Sequence, residues 1–198
     1  MKSVTIIGCA KGWQDAPKKG ERWGVTNVIL ECDLTRIFDM HDLTWSVQQW
    51  YEHYMLWMPG FYGPNALLAK ARTRVEQVPK VLERVNKLAI PLYSTSTYKK
   101  VPTSKLYPLV KVSEHFQKRY FASTIDYAFA LALFEGFKRI DLYGIKMSFG
   151  EEYEHQLKSF HYWLGLAHGM GVTADVHGEG VALFKTRNNL MYGYNEEM

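Results

Sequence analysis

The stretch 120-YFASTIDYAFALALFEGFKRIDLYGIKM-147 carries the clearest punctuation in the chain. It reads as a small-residue turn, a buried helix, a tight loop and a buried strand. Ser123 and Thr124 stand at the start of the helix. Asp126 follows Ser123 by three residues, which is the spacing of a capping box with Asp in the place of Glu. Ala128, Ala130, Leu131, Ala132, Leu133 and Phe134 leave almost no polar face, so the helix is expected to be covered on several sides. Gly136 supplies the stop. Ile140, Leu142 and Ile145 then form a short apolar strand, with Gly144 closing it. A helix leading through a short loop into a buried strand is the returning half of a βαβ unit. Ligands of open α/β sheets gather at the carboxyl ends of strands and at helix N-termini. Two places follow: the turn Ala122 to Thr124, and the segment after Tyr143.

Outward from this element, Val4 to Ile7 reads as a strand. The sequence GCAKGW (8–13) follows it. Gly8 and Gly12 permit a sharp turn and a close backbone approach to a ligand, and Lys11 is placed to pair with a phosphate. A plain strand-to-loop turn fits equally well, since neither the GxGxxG order nor a P-loop ending is present. RWGVTNVIL (22–30) predicts a second strand with Asn27 as a polar residue near its end, satisfied either by backbone or by a ligand. His41 and Asp42 are neighbours. His41 is a candidate site-lining residue, and Asp42 either lines the site or caps the helix that follows, whose Trp45, Val47, Trp50, Tyr51 and Tyr54 form an aromatic face. Residues 66–88 predict a basic amphipathic helical stretch, interrupted or started by Pro79. Ile90 to Tyr93 reads as a third strand, Ser94 to Pro108 as a long polar loop, and Val110 to Val112 as a short edge strand. Glu151 to Met170 predicts a helix on which Glu152, His155 and Gln156 share a face. Val172 to Val176 and Val181 to Phe184 read as two further strands.

The chain has 198 residues, enough for one domain with a sizeable core. Its net charge of +4 is unevenly spread. Leu68 to Tyr120 carries twelve Lys/Arg against three Glu, and the remainder twelve against seventeen Asp/Glu. A basic segment on a mildly acidic body fits a polyanion such as DNA or the phosphates of a nucleotide, as well as a solvated helix face or a lid. No apolar run approaches the roughly 18 residues that span a bilayer. The first residues enter a strand at once. Cys9 and Cys32 sit in apolar contexts and read as buried thiols of a reducing compartment, so a cytoplasmic protein is expected.

In the order of its parts the chain resembles the small bacterial sialyltransferases and the related hydroxymethylpterin-pyrophosphokinase-like proteins. The parts are IIGCAKGWQDAP, then WGVTNVIL, then the stretch from Tyr120 to Met147. It is also similar to phage-encoded proteins that share SxxDY, LYG and EYxxQ elements. The resemblance implies an α/β, Rossmann-like three-layer domain with a mostly parallel sheet. It implies a nucleotide site at Gly8 to Gly12, Asn27 and Ser123–Thr124, and a tripeptide at Gly144–Ile145–Lys146. It further implies tyrosines that hold a leaving phosphate, matched by Tyr153 and Tyr143, and a later histidine base, matched by His155 or His177. Two departures stand out. GCAKGW lacks the Gly–Pro–Ser character of the first turn, and Lys146 replaces an Asp.

The leading expectation is a nucleotide- or nucleotide-sugar-binding transferase that moves a glycosyl group to a hydroxyl acceptor, a modified nucleobase among the options. The alternative is phosphoryl or pyrophosphoryl transfer with Mg²⁺, drawing on Asp126, Glu151 and Glu152. A non-catalytic nucleotide- or nucleic-acid-binding module is the third. No resident cofactor is implied, and no metal site.

Overall fold

The computed structural model describes residues 1–58, 62–147 and 151–178, the side chains of 151–155 excepted. Seven strands form one sheet among these residues: β1 (Ser3–Ile7), β2 (Arg22–Val25), β3 (Arg36–Asp39), β4 (Leu92–Ser94), β5 (Ser104–Leu106), β6 (Arg139–Tyr143) and β7 (Thr173–Val176). Their order is β5-β4-β3-β2-β1-β6-β7. Every pairing is parallel, with Ile6 opposite Trp23, Val4 opposite Ile140, Ile37 opposite Leu92 and Ile140 opposite Ala174. The chain steps outward from β1 to β5, then returns to the other side of β1 with β6. The direction of winding therefore reverses between β1 and β6.

Five α-helices of the described residues form the outer layers: α1 (Val47–Trp57), α2 (Pro64–Leu88), α3 (Leu109–Phe116), α4 (Thr124–Phe134) and α5 (Glu151–Gly169). A parallel sheet must be covered on both faces, and this one is. On one face Val4, Ile6, Trp23 and Phe38 pack with Val112 of α3, Phe129 of α4, and Phe160 and Trp163 of α5. On the other, Ile7, Ile37 and Leu92 pack with Val78, Val81 and Val85 of α2. The architecture is a three-layer α/β fold of Rossmann-like type. No helix of the described residues is long and apolar enough to cross a membrane.

The opening stretch folds as its pattern dictates. The Ser123 hydroxyl accepts from the Asp126 amide at 3.3 Å, and the Asp126 carboxylate accepts from the Ser123 amide at 2.9 Å. That is the capping box. Residues 128–133 of α4 are all buried, because the helix packs on the sheet with α3 and α5 against its sides. Gly136 takes a positive φ of 77° just past the helix end.

Several sequence expectations are corrected. The second strand does not run to residue 30. It ends at Val25, and Thr26–Leu30 form a 3₁₀ turn that buries Val28 and Ile29 against α2. A short apolar run has no period that separates a strand from a buried helical turn. Val110 to Val112 is not an edge strand but part of α3, whose Val112 amide bonds the Pro108 carbonyl at 3.0 Å. The third strand is shifted to Leu92–Ser94, and the supposed long loop contains β5. Pro79 lies inside a continuous α2. Asp42 does not cap α1. It accepts from Thr44 N at 2.9 Å, and Ser46 is the cap. Cys9 is exposed and Cys32 half-buried. The expected strand at Val181 to Phe184 lies outside the described residues.

Candidate active site

A cleft of about 370 Å³ opens over the carboxyl ends of β2 and β3. Its floor is Val25, Thr26 and Met40, one wall is His53 and Trp57 of α1, and the other is the start of α4 from Phe121 to Ile125. His41, Tyr127 and Gln156 complete the lining.

His41 is held from behind. β3 ends on Asp39, which is fully buried, and His41 follows two residues later. The His41 Nδ1 lies 2.8 Å from Asp39 Oδ1. The other carboxylate oxygen accepts from the Arg74 guanidinium of α2. Burial alone would raise the Asp39 carboxyl, but Arg74 and then His41 hold it below the ordinary carboxylate range. An ionised Asp39 requires a hydrogen on Nδ1, so the neutral ring presents Nε2 as its acceptor. No group among the described residues bonds that nitrogen.

His53 meets the His41 ring edge-to-face at 5.1 Å and also touches Trp45, Trp50 and Trp57. Burial, and then repulsion from His41, lowers it to about 4. It is therefore neutral at pH 7 while still lining the cleft. Trp57 is 46% exposed and forms an aromatic edge at the mouth.

Across the cleft, the first amides of α4 are shared out. The Asp126 carboxylate takes those of Ala122 and Ser123, at 2.8 and 2.9 Å, and accepts from the buried Ser159 hydroxyl at 2.7 Å. The amides of Thr124 and Ile125 bond no group among the described residues and stand at the positive end of the helix. Asp126 is thus a buried structural acid beneath the cleft, with its carboxyl raised to about 6 by burial.

Next to this cleft lies a second cavity of about 440 Å³, between α1, α2 and the 3₁₀ turn. Asn27 sits here. Its amide donates to Gln77 and its carbonyl accepts from Arg74. Asn27 and His41 are therefore joined through Arg74 and Asp39 without sharing a cavity.

The remaining sequence candidates fall elsewhere. Gly8 and Gly144 meet each other at the point where the winding reverses. Gly8 N donates to Tyr143 O and Ala10 N to Gly144 O, both at 2.8 Å. A Cβ at Gly144 would stand 2.6 Å from Gly8 O, and Gly144 has a φ of 62°. These two glycines let backbone touch backbone. Gly12 has a φ of 95° in an open loop, with exposed Lys11 beside it. Tyr143 stacks on His177 at 4.3 Å, and His177 Nε2 bonds Asp141 at 2.8 Å. That cluster rides on β6 and β7. β7 lies four strands from β3, or about 19 Å across the sheet at the usual spacing. Glu152, Tyr153 and His155 begin α5, and their side chains lie outside the described residues; Gln156, the next residue, lines the cleft.

Sequence reading identified His41, Ser123 and Thr124 as candidates, and the structure brings them to one cleft. It missed Asp39, His53, Trp57 and Arg74. Asp39 left one readable trace, an acid two residues before a histidine at the end of a β-branched and aromatic run.

The fold and the cleft define an open, parallel α/β protein with its cavity at the carboxyl edge of the sheet. The chain is similar to two solved structures of the sialyltransferase CstII from Campylobacter jejuni. One, in complex with the substrate analogue CMP-3FNeuAc, is 13% identical over 89% of this chain and 80% of its own, with a TM-score of 0.46. The other, in complex with cytidine-5'-monophosphate, is 12% identical over 89% and 79%, with a TM-score of 0.45. No family model and no curated protein matches the chain.

Proposed function

We propose that the protein is a transferase that uses a nucleotide-type donor, a nucleotide sugar in the first instance, with His41 as its acid–base group. The observation that carries this reading is the His41–Asp39–Arg74 arrangement at the cleft. A buried, ionised carboxylate fixes one ring nitrogen, the other meets no partner among the described residues, and the N-terminus of α4 lines the facing wall. A parallel α/β sheet binds its ligands at this edge.

In this reading the donor phosphate lies against the Thr124 and Ile125 amides, with the Ser123 and Thr124 side chains beside it. The exposed Trp57 edge offers a stacking surface for a base or sugar. Nε2 of His41 accepts the proton of the acceptor hydroxyl as its oxygen bonds to the anomeric carbon. The bond from that carbon to the donor phosphate breaks, and the nucleotide leaves with the electron pair. Asp39 stabilises the resulting imidazolium, as an orienting acid does behind any histidine base.

The test is a thermal-shift screen of nucleotides and nucleotide sugars, followed by a turnover assay with the best binder. A nucleotide is expected to raise the melting temperature, and Thr124→Val to reduce that effect. His41→Ala should retain binding and lower kcat on the order of 10²–10⁴-fold, the range for loss of a general base. No shift with any nucleotide would defeat the reading, and turnover unchanged in His41→Ala would defeat the assignment of the base.

A further inference from the structure

The second cavity has a chemistry of its own. Lys70, Thr73, Arg74 and Gln77 stand at i, i+3, i+4 and i+7 on α2 and so share one face. Asn27 faces them from the 3₁₀ turn. Ala66 and Ala69 are small enough to leave the space open. The lining contains two cations, an amide on each side, the Thr73 and Tyr54 hydroxyls, and no carboxylate.

Charge balance sharpens the picture. Asp39 is the carboxylate that meets Arg74, and it also serves His41. Lys70 rests over the Tyr62 ring at 4.3 Å and 3.9 Å from the Met58 sulfur. Its ammonium meets no carboxylate among the described residues. The cavity therefore carries a surplus positive charge beside a guanidinium that is nine-tenths buried. A rigid planar fork next to a mobile ammonium suits the several oxygens of a phosphate group.

We infer that this cavity is a binding site for the phosphate or pyrophosphate group of a small molecule, distinct from the cleft at His41. The two sites share Arg74. A ligand anion drawn to its guanidinium acts on the Asp39 carboxylate and, one hydrogen bond further, on the His41 ring. The second site is thereby placed to sense an anion and report it to the cleft. The inference does not depend on the transfer reading, since it concerns other residues and needs no turnover.

The probe is inorganic pyrophosphate, titrated into the full chain at constant ionic strength. Calorimetry should show saturable binding, and the His41 ring proton signals should move on saturation. Lys70→Ala and Thr73→Val, both at exposed positions, should each weaken binding about tenfold, the scale of one lost charge-assisted contact. Lys87→Ala, at the far end of α2, should leave it unchanged. Binding that survives both Lys70→Ala and Thr73→Val would overturn the assignment, as would absence of binding at millimolar pyrophosphate. Equal loss in Lys87→Ala would reduce the effect to general surface charge and overturn it too. Displacement of pyrophosphate by an oligothymidylate without terminal phosphates would assign the cavity to a nucleic-acid backbone instead.

Discussion

Asp39 and Arg74, 35 positions apart, form an ion pair that solvent scarcely reaches: their side chains are 0% and 7% exposed. The pair joins the end of β3 to the middle of α2 and also holds His41 in place. Removing one member of a buried pair strands the other. Asp39→Asn is predicted to lower stability by about 3–5 kcal/mol, read from urea unfolding. The double replacement Asp39→Leu with Arg74→Met should recover much of that loss, because no charge is left unpaired. A loss under about 1 kcal/mol for the single variant, the value of an exposed pair, would contradict the buried geometry.

His53 is predicted to titrate at about 4, well below its usual 6.5. Its folded form resists the proton that the unfolded chain accepts. The stability it contributes is therefore complete above pH 6.5 and is lost as pH falls toward 4. His53→Phe keeps the ring contacts with Trp50 and Trp57 and should remove that part of the acid loss. Ring-proton NMR across the acid range measures the midpoint directly; a value above 6 would be inconsistent with the packing described.

Asp126 works in the opposite sense. Burial lifts its carboxyl to about 6, although Ser159 and the Ala122 and Ser123 amides pull the other way. The folded state keeps the proton longer than the unfolded chain, whose carboxyl titrates near 3.8. Its contribution is full below the lower value and is lost as pH rises through about 6. Asp126→Asn mimics the protonated form. Relative to the parent protein it should gain on the order of 3 kcal/mol between about pH 4 and pH 7, from a two-unit shift. Denaturant curves at both values provide the comparison, and a pH-independent difference would count against the raised carboxyl.

Gly8→Ala tests the contact between the two loops at the reversal of winding. The added methyl would press into the Gly144 carbonyl, which is backbone and has little room to move. The expected destabilisation is about 1–3 kcal/mol, the usual range for overpacking, measured by thermal unfolding. Gly12→Ala meets no atom within 4 Å and should lose less, through backbone strain at its positive φ alone.

The fold class was legible because α4 and β6 carry their signals locally. The capping box, the all-apolar helix, the terminal glycine and the alternating strand each lie within a few residues. β3 and β5 were not legible, since Arg36 and Asp39 bound the first and Ser104 and Lys105 make up most of the second, which leaves no apolar run to read. The same apolar character served a 3₁₀ turn at Thr26–Leu30 and a strand at Val4–Ile7, and only the pairing of the latter with β2 and β6 separates them. In the cleft, His41, Ser123 and Thr124 could be nominated by type and position. Arg74 could not, because its basic neighbours on α2 are exposed and nothing local marks the one that turns inward. Asp39 and His53 acquire their character from burial, which is a property of the assembled chain.

The place of β1 in the sheet bears on how the chain acquires its shape. Val4 pairs with Ile140, 136 positions later, while β1's other neighbour, β2, lies within twenty residues. Seen from the ribosome, the first strand emerges early with one edge satisfied and the other waiting for β6. Closing so long a loop is slow, because its entropy is lost before the pairing can compensate. Until then β1 presents an open apolar edge, of the kind that invites pairing with another chain. Folding during synthesis would therefore be expected to pause with β1 through β5 in place, and to complete when α4 delivers β6 to the open edge of β1.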